Sequence, residues 1–364
     1  MKVFITRTRQ WYQRNERPIA SLSLIGGFVF DAVTLKRVDL LWENIWVGVH
    51  LVAVGVCILL INYWHDELAD IRDSARIHFW LLTTSQFFFG GLLSVFLVFY
   101  FRSAELSVTW PFLLLLALAF IANERLKEYY AQLTFQIGLF FLSIFAFAIF
   151  IVPVFFHKIG TDIFLISGVI SLVVIGVFLW FLGVFANAQF RHKKWVVLSL
   201  IVGIYATINI LYFLNLIPPL PLALKDAGVY HGVTRDSSGN YVVEAEDVGW
   251  FGYFVPSSTF HKALEDAVYA YTAIFSPAAF NTDIIHVWQK YDDASGGWVT
   301  VTESSLLITG GREGGFRTYS FKRDIDAGRW RVNVETTSGQ VIGRLRFKVV
   351  EVSKEPSVTD VTKK

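Results

Sequence analysis

Charge is scarce in this chain. Only 17% of its 364 residues are Asp, Glu, Lys or Arg, against about 25% in an ordinary soluble domain. Cysteine is nearly missing: Cys57 stands alone, so the chain cannot close a disulfide on itself. An exported domain without disulfides suits a bacterial envelope better than a eukaryotic cell surface. Motifs of established chemistry are missing too. No H-E-x-x-H, G-x-S-x-G or Walker sequence occurs, which removes the zinc-protease helix, the strand-to-helix nucleophile elbow and the P-loop. The expectation is a protein that is not an enzyme and takes no cofactor or metal.

What dilutes the charge is a set of long apolar runs. The 25 residues between Arg76 and Arg102 contain no Asp, Glu, Lys or Arg, and uncharged runs also cover Asn44–His65, Leu106–Asn123, Tyr129–His157, Ile163–Phe190 and Trp195–Leu224. A helix needs about 20 apolar residues to cross a ~30 Å hydrocarbon core. The lipid bilayer is therefore the first partner, and the chain reads as a polytopic α-helical membrane protein. A further candidate, Ile19–Leu35, is interrupted by Asp31 and closed by Lys36 and Arg37; it either spans or re-enters. It lacks the small-residue cleavage site of a signal peptide.

Charge bias sets the orientation. With seven spans and the basic N-terminus (1–18) inside, twelve Lys or Arg residues fall on the cytoplasmic side, from Lys2 to Lys194. The opposite side receives only Lys36, Arg37, Arg102 and Lys158. This is the bias of the positive-inside rule. It places the helical domain at 19–216 in a bacterial inner (cytoplasmic) membrane and the C-terminal domain outside the cytoplasm.

At Pro218, Pro219 and Pro221 the pattern changes. Prolines lack an amide hydrogen and favour extended chain, so a linker is expected over 217–226. Beyond it, short β-branched and aromatic runs are separated by Ser/Gly/Asn turns. In the last pair, Trp330, Val332 and Val334 alternate with Arg331, Asn333 and Glu335. Val341, Gly343, Leu345, Phe347 and Val349 alternate with Arg344, Arg346 and Lys348. Period two with one apolar face means antiparallel strands against a core. The expectation is an all-β, immunoglobulin-like sandwich over 227–353. Ser257–Asp266 carries a helix-cap signal, and 354–364 reads as a disordered tail.

The run Leu307–Ser320, the Gly328-Arg-Trp-Arg-Val strand, the Gly339–Arg344 turn and His286-Val-Trp288 resemble a bacterial module known as domain of unknown function 2914. It often sits behind a multi-spanning membrane region, and Phe30–Leu35 is similar to the membrane part of that group. The resemblance implies an inner-membrane protein with an exported β-rich module. It also implies that His286, Trp288, Arg317, Tyr319 and Ser320 belong to the module's shared pattern. It implies no reaction.

Gly310-Gly-Arg-Glu-Gly-Gly315 looks at first like a phosphate cradle. Phe316 stands where a P-loop needs Lys, and strand-like residues follow where it needs a helix, so a turn is the simpler reading. Just after it, alternation places Arg317, Tyr319 and Phe321 on one strand face. His286 and Trp288 share a face of another strand. If the two faces meet, His, Trp, Arg and Tyr would line one patch fit for a glycan, a lipid headgroup or an envelope protein; otherwise the rings fill a core. Arg344, Arg346 and Lys348 form a basic stripe beside Arg331, either a solvated sheet face or a surface for anionic headgroups or polymers. From Ile217 onward there are 16 basic and 18 acidic residues, a balance that argues against a nucleic-acid partner.

Among the spans, Asp31, His50, Gln86, Gln136 and Asn209 are the polar candidates. Their simpler role is to hydrogen-bond helix to helix. The connector from His65 to His78 holds Asp66, Asp70 and Asp73 on one helical face, more simply an ion-paired surface than a metal site. Gly249–Pro256 concentrates aromatics that would anchor at a membrane interface. Two functions follow: a membrane-anchored binding module, or a transporter or enzyme whose site lies among the helices. No feature sets an oligomeric state.

Overall fold

The computed structural model describes residues 26–35, 40–67, 74–125, 129, 132–185, 187–246, 258–263, 266–277, 280–309, 315–354 and 356–363. Residues 19–25, the acidic positions Asp70 and Asp73, residues 249–256 and Gly310–Gly314 lie outside them. The chain divides into two compact units.

The first unit is helical. Its described elements are α1 (residues 26–34), α2 (Leu41–Glu67), α3 (Ser74–Arg102), α4 (Leu106–Arg125), α5 (Leu133–Phe156), α6 (Thr161–Phe185) and α7 (Asn187–Phe213). The six from α2 to α7 are long and apolar enough to cross a membrane. Even the shortest, the 20-residue α4, covers about 30 Å at ~1.5 Å per residue. Leu, Phe, Val and Ile are prominent at both the buried and the exposed positions of these helices, a composition that would suit a lipid surround.

Helix α5 is the most enclosed of the six. Its Phe145 stacks on Phe164 of α6 at 6.0 Å and on Tyr205 of α7 at 5.5 Å. Tyr212 of α7 lies flat on Phe164, ring centres 3.6 Å apart. Gly168 permits this packing, because a Cβ there would stand 3.1 Å from the Tyr205 ring. Large rings against a small residue bring helix axes close where no hydrophobic effect drives them together.

The second unit comprises Asn215–Lys364 together with two short stretches, Ser103–Trp110 and Pro153–Ile163. Its strands are β1 (Ala223–Tyr230), β2 (Gly232–Arg235), β3 (Tyr241–Glu246), β4 (Ser258–Lys262), β5 (Val268–Phe275), β6 (Asn281–Asp292), β7 (Gly297–Thr309), β8 (Phe316–Lys322), β9 (Gly328–Thr336), β10 (Val341–Glu351) and β11 (Val358–Lys363). They form three sheets, ordered β1-β5-β8, β4-β10-β9-β6-β7 and β11-β3-β2.

The first two sheets share a core. Val268, Ala270 and Ile274 of β5 meet Ile284 and Trp288 of β6, Trp330, Val332 and Val334 of β9, and Leu345, Phe347 and Val349 of β10. The other face of β5 carries Tyr271 and Ala273, and here Val233, Tyr241 and Val243 of the third sheet pack. Strand β5 is thus buried on both faces, which explains why its sequence, VYAYTAIF, has no polar alternation. The sheet β1-β5-β8 is a middle layer.

Several sequence expectations are corrected here. Ser257–Asp266 is not a helix where described: Ser258–Lys262 is β4, paired parallel to β10 from Phe347↔Ser258 to Glu351↔Lys262. Phe260, at the strand's centre, is 3% exposed, and one buried ring with polar neighbours satisfies a strand as well as a helix cap. The tail is not disordered either. Val358–Lys363 pairs antiparallel with β3 along its whole length, and Lys363 reaches Asp226 at 2.9 Å and lies over the Tyr230 ring at 5.4 Å. Backbone pairing and this ion pair hold a segment that has almost no apolar side chains. The linker is shorter than 217–226, since β1 begins at Ala223 and Ile217, Leu220 and Leu222 are buried.

Gly315, described although Gly310–Gly314 are not, has φ +88°, and a Cβ there would meet backbone atoms of Ala273 and Ile274 at 3.0 Å. Both facts forbid a side chain. Gly315→Val is expected to destabilise the β unit by about 2 kcal/mol or more, measured by pulse proteolysis of the full chain in micelles.

Candidate functional site

Several polar side chains of the helical unit bond to one another or to backbone carbonyls. Asp31 accepts from the Ser94 hydroxyl of α3 at 2.5 Å, and Arg102 donates to the backbone carbonyl of Ala32 at 2.6 Å. Gln86 donates to the Asn123 carbonyl of α4 at 3.0 Å, and Asn123 returns a bond to the Gln86 carbonyl at 3.3 Å. Asn62 of α2 donates to Gln136 of α5 at 2.8 Å. His50 pairs with its own helix at the Trp46 carbonyl, 2.9 Å away, and its ring sits 5.1 Å from Phe88. Asn209 likewise bonds back to Tyr205 at 2.8 Å. These are ties between and along helices. Among the described residues, no group of three His, Cys, Asp or Glu side chains is arranged to hold a metal.

In the β unit, three of the five expected site residues come together and two do not. His286 and Trp288 project from β6 into the core between the two facing sheets, where Ser320 of β8 meets both. Trp288 Nε1–H donates to Ser320 Oγ at 3.0 Å, Ser320 Oγ lies 2.8 Å from His286 Nδ1, and His286 Nε2 lies 3.1 Å from Thr272 Oγ1 of β5. With Ser320 donating to Nδ1 and Nε2–H donating to Thr272, a neutral imidazole satisfies every group. Burial favours that neutral form and pushes the His286 pKa down to about 4. The trio is a closed core network.

Arg317 and Tyr319 cannot join it. They lie an odd number of positions from Ser320 on one strand, so they face the opposite way. Tyr319 packs instead among Tyr241 and Tyr269, at 6.2 and 5.8 Å, and the Arg317 carbonyl accepts from the Tyr241 hydroxyl at 3.2 Å.

An exposed arrangement forms elsewhere, on the outer face of the five-stranded sheet. The β6–β7 hairpin register sets Tyr291 opposite Trp298, and the β6–β9 register sets Gln289 opposite Arg331. Arg329 lies 3.6 Å above the Tyr291 ring and Arg331 4.4 Å above Trp298, while the two rings meet edge-on at 5.3 Å. Cation–π contact in a half-exposed site is worth about 0.5–1 kcal/mol each. Polar groups continue the surface. Arg331 Nε donates to Gln289 Oε1 at 2.7 Å, Asn333 Nδ2 to the same oxygen at 3.3 Å, and Arg344 Nε to Asn333 Oδ1 at 2.6 Å. Burial, then the neighbouring Arg344 and Arg346 charges, push the Arg331 pKa down to about 10. The basic stripe was legible from alternation; Tyr291 and Trp298 were not, because only the hairpin register brings them to it.

A second polar cluster joins the third sheet to β4. Glu246, at the end of β3, holds His231 Nε2 at 2.9 Å, His261 Nδ1 at 2.7 Å and the His261 backbone N–H at 2.7 Å. His231 stacks on Phe260 at 4.2 Å. Burial opposes the Glu246 charge, but hydrogen bonds from His261 and His231 outweigh it and hold the carboxyl below its ordinary value. Sequence reading missed this cluster, whose members are scattered over three segments, at His231, Glu246 and Phe260–His261.

Comparison with known proteins adds little chemistry. A family model described as protein of unknown function (DUF2914) matches residues 281–349, the stretch from β6 into β10. No curated protein matches the chain. Among solved structures, a Pseudomonas fluorescens alkylpurine DNA glycosylase, AlkC, bound to DNA containing an abasic site analogue, is similar over 86% of this chain and 99% of its own, at 9% identity and a TM-score of 0.22. A likeness that low carries no argument.

Proposed function

We propose that this is a multi-pass protein of the bacterial inner membrane that presents its C-terminal β unit outside the cytoplasm, as a binding module for an envelope glycan, lipid headgroup or protein. In this reading the first apolar segment makes a seventh crossing, the N-terminus is cytoplasmic, and the chain is not an enzyme. The two facing sheets form an immunoglobulin-like sandwich, to which the third sheet is an addition. The match of 281–349 to a family of unknown function fits a module but names no ligand.

Two observations support the reading. The stretches Ser103–Trp110 and Pro153–Ile163, which follow the second and fourth apolar helices, belong to the same compact unit as the chain that follows the sixth. Alternate crossing puts all three on one side. The observation that carries the binding role is the ring-and-guanidinium face of Arg329, Arg331, Tyr291 and Trp298, which offers flat apolar area, charge and amide groups without reorganisation. Against the helical alternative, a transporter or enzyme, Asp31, Asn62, Gln86 and Asn123 are already engaged in hydrogen bonds between helices.

The test uses the full chain in nanodiscs against envelope glycans, lipids and proteins. Trp298→Ala is expected to weaken the captured ligand about tenfold or more, since rings at the centre of a binding face carry a large share of affinity. Unchanged affinity would remove this face from the function.

A further inference from the structure

We propose that Arg331, Arg344 and Arg346 form a site for a phosphate ester on the outer face of the five-stranded sheet. The proposal rests on the binding-face reading above and names the chemistry of one part of that face.

Arg331 of β9 stands directly opposite Arg346 of β10, and Arg344 stands opposite Asn333. Like charges set directly across a ladder repel and destabilise it, so this pairing is not one that folding alone favours. Nearby acids offset it only in part. Glu105 pairs with Arg346 at 3.8 Å and acts on Arg344 as well, one carboxylate beside two guanidiniums. Glu335 is bonded to Asn333 at 2.9 Å. Burial holds the Glu335 carboxyl above its ordinary value, with the Glu303 charge adding to the effect and Arg344 and Arg331 opposing it.

The grip on the guanidiniums is the second point. Arg331 and Arg344 are each held through Nε by a neutral amide oxygen, that of Gln289 or Asn333. A neutral partner fixes direction without neutralising charge. Stacking on Trp298 fixes the plane of Arg331 as well. Among the described residues, no acceptor meets the two terminal nitrogens of Arg331. Arg344 uses one of its own, Nη1, on the Ser107 hydroxyl at 3.1 Å. The remaining N–H groups are the fork that matches two oxygens of one phosphate. Burial first, and then the Arg344 and Arg346 charges, lower the Arg331 pKa, and an anion would relieve the second of these.

Two sources share this chemistry: an anionic phospholipid headgroup, and a soluble or polymeric phosphorylated ligand. The experiment separates them. The full chain is reconstituted in phosphatidylcholine nanodiscs and titrated calorimetrically with glycerol phosphate. Saturable binding is expected, weakened at least tenfold by Arg331→Gln and by Arg344→Gln, and unchanged by Lys354→Gln, an exposed residue beyond the end of β10. Repeating the titration in discs containing phosphatidylglycerol assigns the source. Weaker apparent binding means the lipid headgroup already occupies the site, and equal binding means a non-lipid phosphate is the ligand; either supports the site. No saturable binding, or equal loss with Lys354→Gln, overturns it. A ligand captured in a Trp298-dependent manner that glycerol phosphate fails to displace would overturn the phosphate assignment and leave the binding face standing.

Discussion

Trp288→Ala is expected to cost the β unit about 3–5 kcal/mol, the range for deleting a fully buried large side chain. The ring is wholly enclosed, meets Phe347 edge-on at 6.2 Å and supplies the proton that Ser320 accepts. A domain stable by roughly 5–15 kcal/mol would lose much of its margin. Ser320→Val isolates the polar share of that loss. It leaves Trp288 Nε1–H and His286 Nδ1 without a partner, at about 1–3 kcal/mol for each orphaned group, while His286 Nε2 keeps Thr272. The same network sets a pH dependence. The His286 pKa is about 4 in the fold and about 6.5 in an unfolded chain, so the unfolded state takes up a proton first on acidification. Stability is full above pH ~6.5 and falls, by on the order of 3 kcal/mol, as pH drops towards the folded value. His286→Gln should flatten that window in urea unfolding of the full chain in micelles. An unchanged slope would mean that His286 is not the group responsible.

Glu246→Ala is expected to cost about 3 kcal/mol. It removes one carboxylate that three N–H groups share, each such charged bond being worth about 1.5–3 kcal/mol before sharing. Because the folded carboxyl titrates below its ordinary value, its contribution is present above the unfolded pKa, near 4.3, and is lost as pH falls through the folded value. This window lies below that of His286, so the two variants are separable in one titration. The loss should be local. Limited proteolysis is expected to cut first in the third sheet and β4, which Glu246 joins, and simultaneous cutting of β9 would contradict that assignment.

How much of this was legible in the sequence varied by element. The six long apolar helices were, because an uncharged run such as Ile77–Phe101 has the length and composition of a helix that could cross a bilayer. The strands of the last pair were too, since Trp330, Val332 and Val334 occupy one face and Arg331, Asn333 and Glu335 the other. The third sheet was not. β11 is held by backbone pairing and by Lys363, and neither leaves a hydrophobic pattern. β4 was misread because its single buried residue, Phe260, defines no period. Of the site residues, His286 and Trp288 share a face as alternation gives, but the face of β8 that meets them carries Ser320, not Arg317 and Tyr319, and which face turns inward depends on sheet packing that alternation alone does not supply. The stacked pairs Arg329–Tyr291 and Arg331–Trp298 depend on a hairpin register with a shift between Trp288 and Gln289, which composition does not encode.

Sidedness tests the central claim most directly. With Cys57 replaced by Ser, one cysteine at Ser295, exposed in the β6–β7 turn, is offered a membrane-impermeant thiol reagent in spheroplasts of an expressing bacterium. Labelling of intact cells is the predicted result, and it puts the ring-and-guanidinium face in reach of envelope ligands. Labelling only after lysis would place the β unit in the cytoplasm and contradict the account.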